Sequence, residues 1–247
     1  MAFFRSRWRA GLLSWRRASW PARVRRVLLT LLLLWLLWLT WVLVQLCWYR
    51  SHTPGPTAFM QEQLSLLQAE QPKARLRQQW LPYGQIDRDL KRALVVAEDA
   101  KFVEHHGFDW EGIQIAWRKN LAKGRIVAGG STISQQLAKN LFLSSARTPW
   151  RKLNETLITL MLETVLSKQR ILEIYLNVIE WGEGVFGAEA AARHYFGLSA
   201  RNLSASQAAY LAAMVTRPRY YEQHRHHVAL LRKQRILLAR LYQVRIP

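Results

Sequence analysis

Residues 87–109 read DRDLKRALVVAEDAKFVEHHGFD, and this stretch shows how the chain builds its secondary structure. Asp87 is a residue type that caps helix N-termini, because its carboxylate can accept hydrogen bonds from free backbone N–H groups of the first turn. The apolar side chains that follow at spacing i, i+4 and i+7 are Leu90, Leu94 and Ala97. The spacing places them on one helical face, so it predicts a helix that begins after Asp87 and ends near Phe102.

Helical signals recur along the rest of the chain. Thr148 before Pro149 is typical of a helix start, and Ser204 with Gln207 has the spacing of a capping box. Further helices are predicted at residues 59–69, 131–142, 171–177, 188–195, 204–215 and 224–242. The helix after Pro149 is expected to bury Leu153, Leu157, Leu160, Met161 and Thr164. Few segments alternate as strands do, so the sequence predicts an all-α fold in one domain.

The region before this domain is strongly apolar. Residues 27–49 carry no charge, and as a helix they would be about 34 Å long, enough to cross the hydrocarbon core of a bilayer. Their length without a charge argues against a buried soluble helix, and the lack of a small-residue cleavage site argues against a signal peptide. The sequence therefore predicts a basic segment at 1–26, a transmembrane helix at 27–49, a linker at 50–58 and the main domain at 59–247.

Arginine is concentrated on one side of the predicted span. Eight arginines precede residue 27 and Arg50 follows the span, so the positive-inside rule places the N-terminus in the cytoplasm and the main domain outside it. The formal net charge is +20, and the part of the chain after Arg50 carries +11 of it. Such an excess indicates an anionic partner. The outer location argues against nucleic acid and leaves anionic lipid or a lipid-linked pyrophosphate.

Two adjacent carboxylates, Glu98 and Asp99, stand at the end of the apolar stretch described first. Burial at such a helix end can raise the pKa of one carboxylate, which makes that carboxylate a better proton acceptor, as a general base requires. An ordinary helix end with solvated charges has the same spacing. From the residues alone, both interpretations stay open.

A second cluster follows a glycine turn, Gly129-Gly130, at the start of a predicted helix. Thr132, Gln136 and Lys139 fall on one face of that helix, where they would suit a phosphate or sugar hydroxyls. A capped polar surface helix is an equally good interpretation.

A third cluster begins the helix after Pro149. Arg151 and Lys152 have the spacing to pair with Glu155, which is the pattern of a surface salt bridge. Two cations in the first turn of a helix oppose its dipole, however, and an anionic ligand would compensate for that cost.

Taken together, the clusters resemble the motifs of the peptidoglycan glycosyltransferases. The first block contains Glu98, Asp99, Phe102, His105, Gly107 and Asp109, the second runs from Gly129 to Asn140, and the third contains Arg151, Lys152 and Glu155. Two more blocks, at residues 168–177 and 191–208, follow in the family's order. Ser134, where the family commonly has Thr, and the additional His106 are departures that remove no functional group.

This resemblance implies a lysozyme-like glycosyltransferase domain with a membrane-facing jaw lobe, preceded here by one transmembrane helix. The jaw would lie around residues 104–130, where the apolar surface would come from Phe108, Trp110, Ile113, Ile115 and Trp117. The implied enzyme belongs to the bacterial inner membrane, has its catalytic domain in the periplasm and polymerises lipid II. Its expected partners are lipid II, lipid-linked glycan, membrane lipids and cell-wall synthesis proteins, with no nucleic acid.

The resemblance also implies a role for each matching residue. Glu98 would be the catalytic base, and the cations that stabilise the leaving undecaprenyl pyrophosphate would be Lys139, Arg151 and Lys152. Glu155 would be a second catalytic residue that orients these cations or helps to hold a divalent metal, Mg²⁺ or Mn²⁺, at the pyrophosphate. The other residues expected to bind substrate are Asp99, Phe102, His105, Thr132 and Gln136.

Two other functions stay open at this point. A lysozyme-like lytic enzyme that cuts glycan would also use a carboxylic acid, but it has no need of cations around a pyrophosphate. A non-enzymatic scaffold for the cell-wall machinery would use the basic surface to hold lipid and would not depend on Glu98. The basic, leucine-rich segment 224–242 would either touch anionic lipid or pack its leucines on the domain.

Overall fold

A computed structural model describes residues 20–125 and 129–247. The chain divides into two compact units, one that ends at Val44 and one that comprises Gln45–Pro247. The helices after the first are α2 (Ala58–Glu70), α3 (Arg88–Glu98), α4 (Trp110–Lys123), α5 (Ile133–Phe142), α6 (Pro149–Val165), α7 (Lys168–Val178), α8 (Ala188–Phe196), α9 (Ala205–Met214), α10 (Pro218–Gln223) and α11 (Val228–Arg240). Short 3₁₀ turns lie at Tyr83–Gln85 and Leu241–Gln243.

The first helix, α1, spans Trp20–Trp48 and is long and apolar enough to cross a membrane. It begins before the predicted span of residues 27–49, because the arginines at its start do not interrupt helical hydrogen bonding. It ends one residue before Tyr49. Most of the predicted basic segment, residues 1–19, lies outside the described residues.

Capping side chains set the helix starts as expected. Asp87 accepts hydrogen bonds from the backbone N–H groups of Asp89 and Leu90, and Thr148 caps α6 with Pro149 in its first turn. Capping boxes open α5, at Thr132 and Gln135, and α9, at Ser204 and Gln207. Local hydrogen bonding therefore accounts for the predicted starts.

Two predicted helix boundaries differ from the structure by four residues each. Helix α3 ends at Glu98 rather than near Phe102, since Asp99 leaves the helical conformation and turns its carboxylate to other partners. The last predicted helix begins at Val228 rather than at residue 224, because the imidazole of His227 caps it by accepting a hydrogen bond from Ala229 N–H.

The core of the second unit is helical. Helix α5 packs against α6, α7 and α2, while α9 packs against α11 and α3. The largest fully buried side chains include Trp181, Tyr175, Phe102 and Phe186. These contacts bring the C-terminal end of α3 beside α5, where the polar motifs meet.

Helix α6 buries a different face from the predicted one. Its buried residues are Asn154, Glu155, Ile158, Thr159 and Leu162. Leu153 and Leu160, expected inside, are 46% and 49% exposed. The prediction assumed that the most apolar stripe faces inward, whereas α6 turns a half-polar face with Glu155 into the protein and leaves leucines outside.

A small sheet, absent from the sequence prediction, lies beside α8. Its strands are β1 (Arg77–Gln78), β2 (Glu180–Gly182) and β3 (Val185–Phe186), in the order β1-β3-β2. β3 runs parallel to β1 and antiparallel to β2. Strands of two or three residues are too short to show an alternating pattern, so the helical fold class is confirmed and only this local detail was not predicted.

Candidate active site

Glu98 is the last residue of α3, and its carboxylate is held from α5. Gln136 Nε2 donates a hydrogen bond to Glu98 Oε2 at 3.0 Å, and Gln136 Oε1 accepts one from the Tyr175 hydroxyl at 2.7 Å. Burial, together with the nearby carboxylates Glu98 and Asp99, raises the pKa of Tyr175 well above its usual value, so this hydroxyl stays protonated and donates. The two bonds fix the amide, and the amide in turn orients Glu98.

The other oxygen of Glu98 faces a cation from the last helix. Lys233 Nζ lies 3.7 Å from Glu98 Oε1, and it also donates a hydrogen bond to the hydroxyl of Thr216. Lys233 is not among the site residues predicted from the sequence, because it lies beyond the motif blocks and 135 positions from Glu98.

Asp99 joins the end of α3 to the start of α5. Its carboxylate accepts a hydrogen bond from Ile133 N–H at 3.1 Å and contacts His105 Nε2 at 2.9 Å. Both side chains are almost completely buried, and His105 Nδ1 has no hydrogen-bond partner within the described residues. Asp99 and His105 thus fix the position of Glu98 relative to Gln136, and their predicted contacts with substrate stay predictions.

Two residues expected to bind substrate lie inside the protein. Phe102 is fully buried, with Lys168 Nζ 4.5 Å from its ring centre, so its ring fills the core, and its predicted contact with substrate stays a prediction. The Thr132 hydroxyl donates to the carbonyl of Gly107 at 2.6 Å and accepts from Gln135 N–H at 3.2 Å. It therefore caps α5 and ties to it the loop between α3 and α4, which contains Gly107.

The cations of the second and third motifs form one cluster around Glu155. This buried carboxylate accepts hydrogen bonds from both Arg151 and Lys152, and it interacts electrostatically with Lys139 on α5. Burial lowers the pKa of Lys139; Glu155 opposes this effect, whereas Arg151, Lys152 and Arg147 add to it. Arg147, in the loop before α6, belongs to the cluster but was not selected from the sequence.

The surroundings of Glu155 do not suit the divalent metal that the family resemblance suggested for this residue. Both of its carboxylate oxygens already bind cationic side chains, and further positive charge surrounds them. In residues 20–125 and 129–247, no group of three or more His, Cys, Asp or Glu side chains could hold a metal ion. The surroundings of Glu155 favour an anion.

Helix α5 connects the two halves of the site. Gln136, which holds Glu98, and Lys139, which faces Glu155, are three residues apart, or about 4.5 Å along the helix axis. A general base and a cationic cluster that both contact one helix can remove a proton from a hydroxyl and stabilise an anionic leaving group.

A comparison with known protein families decides the class of the enzyme. The sequence profile of the family described as Transglycosylase matches residues 65–242, which include both halves of the site. The chain belongs to the transglycosylase family. The resemblance drawn from the motifs is thereby confirmed.

Curated relatives of this transglycosylase match it over most of their own length. A protein of Chromobacterium violaceum is 63% identical over 206 residues, which cover 83% of this chain and 90% of the relative. A protein of Laribacter hongkongensis is 63% identical over 202 residues, covering 82% and 89%. One of Methylobacillus flagellatus is 59% identical over 206 residues, covering 83% and 90%. Each of the three is named a biosynthetic peptidoglycan transglycosylase.

Proposed function

We propose that this transglycosylase polymerises lipid II into linear glycan strands. Glu98 removes the proton of the acceptor's GlcNAc 4-hydroxyl, and the oxygen attacks the anomeric carbon of the lipid-linked donor with inversion. The bond to undecaprenyl pyrophosphate breaks, and that group leaves as an anion. The observation that carries the proposal is that one helix, α5, contacts both halves of the site. Its Gln136 holds the carboxylate of Glu98, and its Lys139 belongs to the cationic cluster around Glu155.

The carboxylate half of the site suits a base. Hydrogen bonding of Glu98 Oε2 to Gln136 restricts the rotation of the carboxylate, and the side chain is mostly shielded from water. A base held in one orientation loses little freedom when substrate binds, which lowers the barrier to proton transfer.

The cationic half suits a pyrophosphate. The cluster has an excess of positive charge, because it contains four cations around the carboxylate of Glu155. The cations are Lys139, Arg147, Arg151 and Lys152. Arg151 Nε is buried without a hydrogen-bond partner in the part of the chain that the structure describes, and it could donate to a phosphate oxygen. Fixed cations around a leaving group stabilise the charge that develops on it.

Apolar surface near the site suits substrates held in a membrane. Trp110, Trp117 and Leu121 on α4 are largely exposed, and Leu153 and Leu160 on α6 are about half exposed. Exposed apolar area of this kind marks a membrane or protein contact. We place the catalytic domain on the periplasmic side of the inner membrane, anchored by α1, since the arginines at the N-terminal side favour a cytoplasmic N-terminus.

The test is a polymerisation assay with labelled lipid II and the full-length chain in phospholipid vesicles. Wild type should convert lipid II into long glycan, and Glu98→Gln should lose several orders of magnitude in rate, because the amide has nearly the same shape but cannot take the proton. Glu104→Gln, which changes an exposed carboxylate six residues further on, serves as the matched control and should behave like wild type.

The same assay separates the two alternative functions. A lytic enzyme would cut finished glycan and leave lipid II unchanged. A scaffold would leave both substrates unchanged in every variant. Turnover of lipid II by Glu98→Gln at the wild-type rate would contradict the role of Glu98 as the base.

A further inference from the structure

An ion pair joins Glu98 to the last helix of the chain. Lys233 Nζ lies 3.7 Å from Glu98 Oε1, and the two side chains are 29% and 14% exposed. A charge pair at this distance and with this much shielding from water is weakly screened by salt.

The position of Lys233 on α11 shows that this contact is not an incidental surface pair. Leu230 and Leu237 are buried where α11 packs against α9 and α3, and Lys233 is three residues after the first of them and four before the second. These spacings place all three on the same helical face. An apolar residue would suit that face, but a lysine can bury its stem there and extend its ammonium to a carboxylate. The neighbouring Arg232 and Arg235, by contrast, are exposed.

The two oxygens of Glu98 have different surroundings. Oε2 accepts the hydrogen bond of Gln136 at 3.0 Å, whereas the 3.7 Å between Oε1 and Lys233 Nζ exceeds hydrogen-bond length. Lys233 thus supplies positive charge without occupying the lone pairs of Oε1. That oxygen is free to accept a proton from a substrate hydroxyl.

We propose that Lys233 is a positioning residue that keeps Glu98 ionised and directs its Oε1 to the acceptor hydroxyl. This inference rests on the proposed function, in which Glu98 is the base. It adds a contribution from the C-terminal helix to a site whose predicted residues all lie between Glu98 and Glu155.

The other titratable groups that face Glu98 do not replace this charge. Tyr175, on α7, stays protonated and donates to Gln136. Asp99 is the neighbouring residue, and its carboxylate is held by His105 and Ile133. Without the ammonium of Lys233, Glu98 would still have the neighbouring carboxylate of Asp99, which favours the protonated acid.

The experiment measures kcat/KM for lipid II from about pH 5 to pH 9 with full-length protein in vesicles, because the acid limb of this profile reports protonation of the base. In Lys233→Met we expect the acid limb to move up by about one pH unit, since a nearby opposite charge favours the ionised form. The rate loss should therefore be larger at low pH than at pH 8. Lys233→Arg should restore the wild-type limb, and the exposed control Arg235→Met should leave it in place.

A structural role alone would give a different result. The inference would be overturned if Lys233→Met lowered kcat/KM by the same factor at every pH. It would also be overturned if the acid limb of Arg235→Met moved as far as that of Lys233→Met. Thermal unfolding of each variant checks folding, and Lys233→Gln is measured alongside because it keeps a polar end on the packed face. If wild type fails to polymerise lipid II, the proposed function itself is contradicted. If wild type is active and the acid limb of Lys233→Met does not move, only the proposed role of Lys233 is contradicted.

Discussion

Gln136 Nε2 lies 3.0 Å from Glu98 Oε2, so a side chain from the middle of α5 holds the carboxylate at the end of α3. The same amide accepts a hydrogen bond from the buried Tyr175 hydroxyl. Three helices, α3, α5 and α7, therefore contribute to the position of one carboxylate. This arrangement explains why a glutamine, rather than a charged residue, is suited to position 136: an amide can donate to one partner and accept from the other.

Replacing Gln136 by Leu should lower kcat about 10- to 100-fold, because a hydrogen bond to a charged group contributes about 1.5–3 kcal/mol and Glu98 would lose its orientation. Tyr175→Phe removes only the outer bond and should cost less. Steady-state kinetics with lipid II measure both effects, with the exposed Gln169→Leu on α7 as the control. Equal kcat values for Gln136→Leu and wild type would contradict this account.

The helix starts could be read from the sequence because they depend on neighbouring residues, as at Asp87 and Thr148. The partner of Lys233 could not, since hydrophobic periodicity within α11 says nothing about a carboxylate 135 positions earlier. The inward face of α6 was mistaken for the same reason: only tertiary packing shows that Glu155, and not Leu153, is buried.

Asp99→Asn should destabilise the protein by about 1–3 kcal/mol, because an amide can accept only part of the hydrogen bonds that the carboxylate accepts and the site is buried. Ile133 N–H and His105 Nε2 both contact this carboxylate. Chemical denaturation of the full chain in detergent would show the loss, and Glu104→Gln should show none. A variant as stable as wild type would mean that Asp99 does not hold the start of α5.

Phe102→Leu distinguishes a packing role of Phe102 from the predicted contact with substrate. Because the ring is fully buried, the substitution should lower stability by about 1–3 kcal/mol through loss of packing, while KM for lipid II stays at the wild-type value. Thermal unfolding and steady-state kinetics measure the two effects separately. A raised KM with unchanged stability would instead support the predicted contact with substrate.

Removal of divalent metal should leave turnover close to its original rate. Glu155 already binds Arg151 and Lys152, so the protein's own cations, rather than a metal held by this carboxylate, neutralise the leaving group. Lipid II assays with and without EDTA check this expectation. A large loss that Mg²⁺ restores in wild type and not in Glu155→Gln would show that Glu155 holds a metal after all.

Lys139→Arg should extend activity to higher pH. Burial lowers the pKa of Lys139, so its positive charge is present below that pKa and is lost as the pH rises through it, earlier than for an ordinary lysine. Loss of this charge weakens stabilisation of the leaving pyrophosphate, and the wild-type rate should fall on the alkaline side. Arginine remains charged throughout that range, so the alkaline limb of kcat/KM should move to higher pH in Lys139→Arg.

The exposed Lys123→Arg on α4 is the control and should leave the alkaline limb in place. Coincident alkaline limbs for Lys139→Arg and wild type would show that another group, and not Lys139, sets the upper pH limit.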